Sequence, residues 1–152
     1  MEEALKGVPN GYRKHLEAIW DESIGQNNKS ATYQFSLGSP SPELVSEISK
    51  VLGRPVNSRK QIIELGYVRH IKKRHGENGT AIEGNIPINK ELFALISDIL
   101  KNFDSVAIGH RTRGEEAVLI KKNYSDGTGI IVETVPVKDN LGIRSFRVER
   151  VK

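Results

Sequence analysis

Residues 105–151 read SVAIGHRTRGEEAVLIKKNYSDGTGIIVETVPVKDNLGIRSFRVERV. Apolar and β-branched residues come here in short runs, not at the three-to-four spacing of a helix, and turn-forming groups interrupt them. The pattern predicts strands over Ser105–Thr112, Ala117–Tyr124, Gly129–Val137 and Leu141–Val151. Arg113-Gly114-Glu115, Ser125-Asp126-Gly127-Thr128 and Lys138-Asp139-Asn140 connect them. Each connection is short enough for a hairpin, so the four strands are expected to form an antiparallel meander.

Upstream the period changes to that of helices. Asn89 caps a helix over Lys90–Lys101 whose Leu92, Phe93, Leu95, Ile96, Ile99 and Leu100 mark it as core-packed. Ser41, with Pro42 at the first helical position, starts a helix that Gly53 stops after Leu52. Asn57 or Ser58 caps a further helix expected to run through His75 to Gly76, with Gly66 inside it. The stretch Glu77–Ile86 reads as a loop, and Thr32–Leu37 as a short strand broken by Gly38-Ser39-Pro40. Tyr12, Leu16, Ile19 and Trp20 have helical spacing and precede a loose run from Gly25 to Ser30. The expected fold is therefore α+β: N-terminal helices and a short strand packed on a C-terminal four-stranded antiparallel meander. Residues 1–30 are expected to be a helical appendage and linker, and 31–152 the domain proper.

The chain has 152 residues, enough for one domain with a core. It has no cysteine, which excludes disulfides, thiol chemistry and Cys-ligated metal. No apolar run approaches the roughly 20 residues of a membrane span, so no membrane anchoring is expected. Met1-Glu2-Glu3 opens the chain without a signal-peptide core, and the sequence is expected to be a mature or excised domain.

Charge points to a partner. From Arg54 to Gly76 there are seven Lys or Arg and one acid, Glu64, a local +6 in a chain of net +4. Its densest part is Arg69-His70-Ile71-Lys72-Lys73-Arg74-His75. Such density attracts phosphate, and histidine moves protons near neutral pH. His70 and His75, five apart, diverge on a helix and do not suit a shared metal. On that helix His70 shares a face with Ile63, Tyr67 and Arg74, while His75 lies at the C-terminal end, where the dipole favours a cation. The plain alternative is a solvated basic helix with incidental histidines.

On the last strand, alternation puts Arg144 with Phe146 and Val148, and Ser145 with Ile143 and Arg147. A hydroxyl flanked by Arg144 and Arg147 suits a phosphate; a merely wet strand face is the alternative. Lys121-Lys122 adds charge at the far end of the first hairpin from Arg111 and Arg113, which read as turn-flanking surface charges. Glu133 is a lone acid on an apolar strand, either a general base or an outward-facing residue. No Walker loop, dinucleotide fingerprint, nucleophile elbow or acid cluster for a metal is present, and no cofactor is expected.

These residues resemble the barnase–EndoU–colicin–RelE superfamily of metal-independent ribonucleases, in the versions found in prophages and bacterial polymorphic toxins. The similarity rests on Gln34-Phe35-Ser36-Leu37-Gly38, on His70-Ile71-Lys72-Lys73-Arg74-His75 and on the meander ending Ile143-Arg144-Ser145-Phe146, and spans about residues 31–152. It implies an active site with His70, Ser145 and a strand base, Lys121 or Lys122, and matches His75 to a second motif histidine. The final strand departs from the pattern: Ser145-Phe146 stands where Thr, followed two residues on by Tyr, is expected. The implied activity is RNA cleavage, of tRNA among other cellular RNAs, by transesterification to a 2′,3′-cyclic phosphate. Arg144 would stabilise charge, and Arg69, Lys72, Lys73, Arg74, His75 and Arg147 would bind substrate. The implied setting is the bacterial cytoplasm, reached alone or by delivery within a larger protein, with an acidic immunity protein or antitoxin as partner. A non-catalytic nucleic-acid-binding module and a protein-interaction domain with an acidic partner remain the alternatives.

Overall fold

The computed structural model describes residues 1–24, 29–57, 60–79, 83–137 and 139–151. Ser58 as a cap, most of the Gly25–Ser30 run, the middle of the Glu77–Ile86 loop and Lys138 lie outside them. In chain order the elements are α1 (Glu2–Lys6), α2 (Asn10–Ile24), β1 (Gln34–Ser36), α3 (Pro42–Leu52), β2 (Gln61–Glu64), α4 (Leu65–His75), β3 (Asn85–Ile86), α5 (Lys90–Phe93), α6 (Leu95–Asn102), β4 (Ser105–Ile108), β5 (Ala117–Asn123), β6 (Gly127–Thr134) and β7 (Leu141–Arg150).

Local chemistry explains several boundaries. Ser41 Oγ accepts from the Leu44 amide, Pro42 occupies the first turn, and Gly53 closes α3 in the left-handed region at φ 69°. Asn89 Oδ1 accepts from the Leu92 amide and starts α5. The helix expected over residues 90–101 is divided at Ala94 into α5 and α6.

The α+β class holds, but the sheet is larger than a four-stranded meander. β4, β5, β6 and β7 pair antiparallel in sequence order within a seven-stranded sheet of order β1-β2-β7-β6-β5-β4, with β3 also on β7. β2 pairs antiparallel with β1 and parallel with β7, so the sheet is mixed.

β2 corrects the helix expected from Asn57. Gln61, Ile62 and Ile63 are 3%, 7% and 0% exposed, buried on both faces of a strand flanked by β1 and β7. Two consecutive β-branched residues suit that environment better than a half-exposed helix. The helix begins only at Leu65, so Ile63 is not on its face. Gly66 sits inside α4 because the backbone of Ala31 passes close by: the Gly66 amide donates to Ala31 O at 2.8 Å, and a Cβ there would lie 3.1 Å from Ala31 Cβ.

Alternation along β5 and β6 sends Val118, Ile120 and Ile131 to the helices, where they join Leu16, Ile19 and Trp20 of α2, Val68 and Ile71 of α4, and Ile96 and Ile99 of α6 in one core. Trp20 and Phe93 pack ring to ring at 5.3 Å between centroids. The opposite, polar face carries Leu119, Lys121, Ile130, Val132 and Thr134.

Candidate active site

The site is built on a fault in the strand ladder. Val132 pairs with Ser145 but Glu133 pairs with Ile143, so Arg144 is an extra residue in β7. Such a bulge lets two successive side chains leave the same face. Ile143, Phe146 and Val148 are all fully buried in the helix-side core. Arg144 and Ser145 are thereby both released to the polar face. Strict alternation had put Arg144 with Phe146 and Ser145 with Ile143; the bulge overturns both pairings.

Arg144 is the hub of that face. Its side chain is 15% exposed, with Nη1 3.7 Å from Glu64 Oε1 and Nη2 3.8 Å from Glu115 Oε1. Nε donates to Thr134 Oγ1 at 3.0 Å, and the guanidinium lies 4.6 Å from the centre of the Tyr67 ring. Arg113, on the β4–β5 hairpin at φ 52°, approaches the same ring at 5.4 Å. The Tyr67 hydroxyl is buried without a hydrogen-bond partner among the described residues. Gly142 makes room for this arrangement, since a Cβ there would lie 2.9 Å from Arg144 Cζ.

Farther along the face, register aligns Lys121, Ile130 and Arg147 across β5, β6 and β7, and Leu119, Val132 and Ser145 beside them. Lys121 and Arg147 are partly exposed, while Ile130 between them is 1% exposed, as expected where long basic side chains lay their stems over an apolar neighbour. Lys122 points the other way. Its Nζ is 3.4 Å from Asp98 Oδ2 on α6, an oxygen that also accepts from the Tyr124 hydroxyl at 2.6 Å. Of the two lysines, only Lys121 reaches the polar face.

A family model described as phage-Barnase-EndoU-ColicinE5/D-RelE like nuclease3 matches residues 41–152. The chain belongs to this nuclease family. Neither a curated protein nor a solved structure matches it. The match begins at the cap of α3, so Gln34–Gly38, part of the expected resemblance, lies outside it.

In the nuclease, α4 leaves β2 beside the middle of β7, the stretch that neither β2 nor β3 covers. This brings Tyr67 onto Arg144. His70 is exposed and one helical turn from Tyr67, so their Cβ atoms are about 5–6 Å apart; Arg74 continues the stripe. Partial burial, then the charges of Arg74 and Lys73, hold the His70 imidazole below its ordinary pKa, favouring the neutral base at neutral pH. His75 is only 8% exposed and follows Val68 and Ile71 on the core stripe of α4, so its side chain is not on the His70 flank. Arg69, Lys72 and Lys73 occupy the other flank and line a separate pocket.

Glu133 faces inward, not outward. Gln61 Nε2 donates to its Oε2 at 2.9 Å, Oε1 has no hydrogen-bond partner among the described residues, and burial pushes the carboxyl up to about 7 against the opposing effect of that bond. By sequence alone Glu115 and Thr134 have no place in a site, while Tyr67 is expected only as a neighbour of His70 and Arg74, Arg113 only as a turn-flanking charge, and Glu64 only as the one acid of the basic stretch. Glu64 and Tyr67 reach Arg144 through the parallel pairing of β2 with β7, which leaves no local sequence signal. Among the described residues no group of three His, Asp or Glu side chains is arranged to hold a metal ion, and no helix is long and apolar enough to cross a membrane.

Proposed function

We propose that this nuclease is a metal-independent endoribonuclease whose reaction centre is the polar sheet face around Arg144. The observation that carries the reading is the convergence of Arg144, Ser145, Lys121 and Arg147 on one face, with the His70 flank of α4 at its edge. A phosphodiester laid on this face meets a fork of donors that suits its oxygens. The neutral His70 imidazole takes the 2′-hydroxyl proton. The 2′-oxygen forms a bond to phosphorus as the bond to the 5′-oxygen breaks, and the departing oxygen takes up a proton. The products are a 2′,3′-cyclic phosphate and a 5′-hydroxyl. Arg144 and Lys121 stabilise the charge gathered on the phosphorane, and Ser145 orients a non-bridging oxygen. Glu64, Glu115 and Tyr67 hold the guanidinium in place before substrate arrives.

In this reading the protein acts as a toxin on cellular RNA, tRNA included, in the bacterial cytoplasm, and a protein that restrains it presents acidic groups to the same cationic surface. The test is total RNA incubated with the protein in EDTA, with the ends of the products determined. Cyclic phosphate and 5′-hydroxyl ends are expected. Intact RNA that is nevertheless bound would leave a nucleic-acid-binding module in place of the enzyme.

A further inference from the structure

The basic helix does not present one surface. At about 100° per residue, Tyr67, His70 and Arg74 form one flank of α4, and Arg69, Lys72 and Lys73 the other. The second flank opens on a pocket of about 650 Å³ between α4, the C-terminal part of α2 and the segment entering α5. Trp20 and Ile88 contribute apolar floor, and Lys90 stands on the far wall. Lys90 is held by Asp21 at 2.9 Å. Arg69, Lys72 and Lys73 make no salt bridge among the described residues. Glu77 and Glu91 also line the pocket, so its wall holds four cations, Lys90 included, against two carboxylates. This excess of positive charge around one concavity gains when an anion enters.

We infer that this pocket is a second polyanion site, which takes phosphates of the RNA strand several nucleotides away from the bond that is cut. The inference rests on the ribonuclease reading for the identity of the polyanion. Arg69 and Lys73 are one helical turn apart, about 6 Å along the axis. The ridge between the two flanks is itself basic, with Lys73 and Arg74 both exposed. A flexible strand leaving the Arg144 face therefore crosses α4 over continuous positive charge and reaches the pocket. An acidic protein segment would also be attracted, but a single strand with a charge at every residue best matches cations spread over both flanks and the crest. The pocket thus favours long RNA over short and contributes to affinity more than to the chemical step.

The test measures binding and cleavage as a function of RNA length. The probes are a fluorescent 12-nucleotide RNA and a trinucleotide, each also prepared with 2′-O-methyl groups so that binding is read without turnover. The variant is Arg69→Gln/Lys72→Gln/Lys73→Gln. A control, Lys6→Gln/Lys14→Gln/Lys50→Gln, removes the same net charge elsewhere. Each lost phosphate contact flattens the salt dependence by about 0.7 for a single strand, so three lower the slope by about 2 and weaken 12-mer binding on the order of 10²-fold at 50 mM salt. The advantage of the 12-mer over the trinucleotide, in Kd and in kcat/KM, should shrink toward one, while the control keeps it. Unchanged 12-mer affinity and slope, or equal losses for both lengths, overturn the second site. Polyglutamate that displaces the 12-mer from wild type, and binds more tightly than it, overturns RNA as the occupant. If wild type cuts neither RNA but the 12-mer still depends on these three side chains, the pocket stands and the ribonuclease reading falls.

Discussion

Glu133→Gln should stabilise the protein above neutrality and do almost nothing in acid. The wild-type carboxyl is fully buried, accepts a hydrogen bond from Gln61 alone among the described residues, and is raised from 4.5 to about 7. Between those two values the folded state binds a proton that the unfolded chain has already released. Stability is therefore complete below pH 4.5, falls as the pH rises, and is lowest above 7. At roughly 1.4 kcal/mol per pH unit the burial of charge costs about 3 kcal/mol there. Gln keeps the shape without the charge, and the Gln61 amide, turned over, accepts from it. For a chain of this size 1 kcal/mol moves Tm by roughly 2–4 °C, so the variant should melt roughly 6–12 °C above wild type at pH 8. The assay is thermal unfolding of both proteins from pH 4 to pH 8, read as the difference in Tm. A difference that does not grow between pH 4.5 and 7 would refute the reasoning, because it would mean that the buried acid does not titrate in that window.

Other outcomes follow from the site. Arg144→Ala should lower kcat about 10²–10³-fold, and Arg144→Lys should restore only part of it because a lysine lacks the planar fork; RNA cleavage in EDTA checks both. Gly142→Ala should give a similar loss with little change in Tm, since the new Cβ meets the end of the Arg144 side chain; unaltered cleavage would show that the guanidinium position is unimportant. His70→Ala should cost about 10²–10⁴ in kcat. With His70 as base, kcat/KM should fall as pH drops through a value below 6.5, and Arg74→Gln, by removing a charge that lowers that value, should move this limb to higher pH. Removal of residues 1–24 takes Leu5, Leu16, Ile19 and Trp20 out of the core; at about 2–5 kcal/mol for each large side chain the loss is about 8–20 kcal/mol, as large as the whole 5–15 kcal/mol stability of an ordinary domain. We propose on this ground that the N-terminal helices are inseparable from the fold, and circular dichroism of the truncated chain checks it.

Local interactions made parts of this protein legible in its sequence. Ser41, Pro42 and Gly53 bound α3 through bonds within a few residues of themselves, and the short connections after Ser105 bring successive strands together by chain geometry alone. The density of charge on α4 is likewise a property of composition. What tertiary structure decided was non-local. Ile62 and Ile63 become a strand because β1 and β7 stand on either side of them, and nothing near Asn57 announces a parallel partner some 80 residues away. A one-residue bulge, invisible to a period of two, turned Arg144 from the core side to the polar face. The same parallel pairing carried α4 beside β7, which brought Tyr67 to Arg144, assigned His75 to the core, and divided the basic residues between two flanks. Which residues are charged was written in the chain; which of them face one another was set by strand pairings whose partners lie far apart along it.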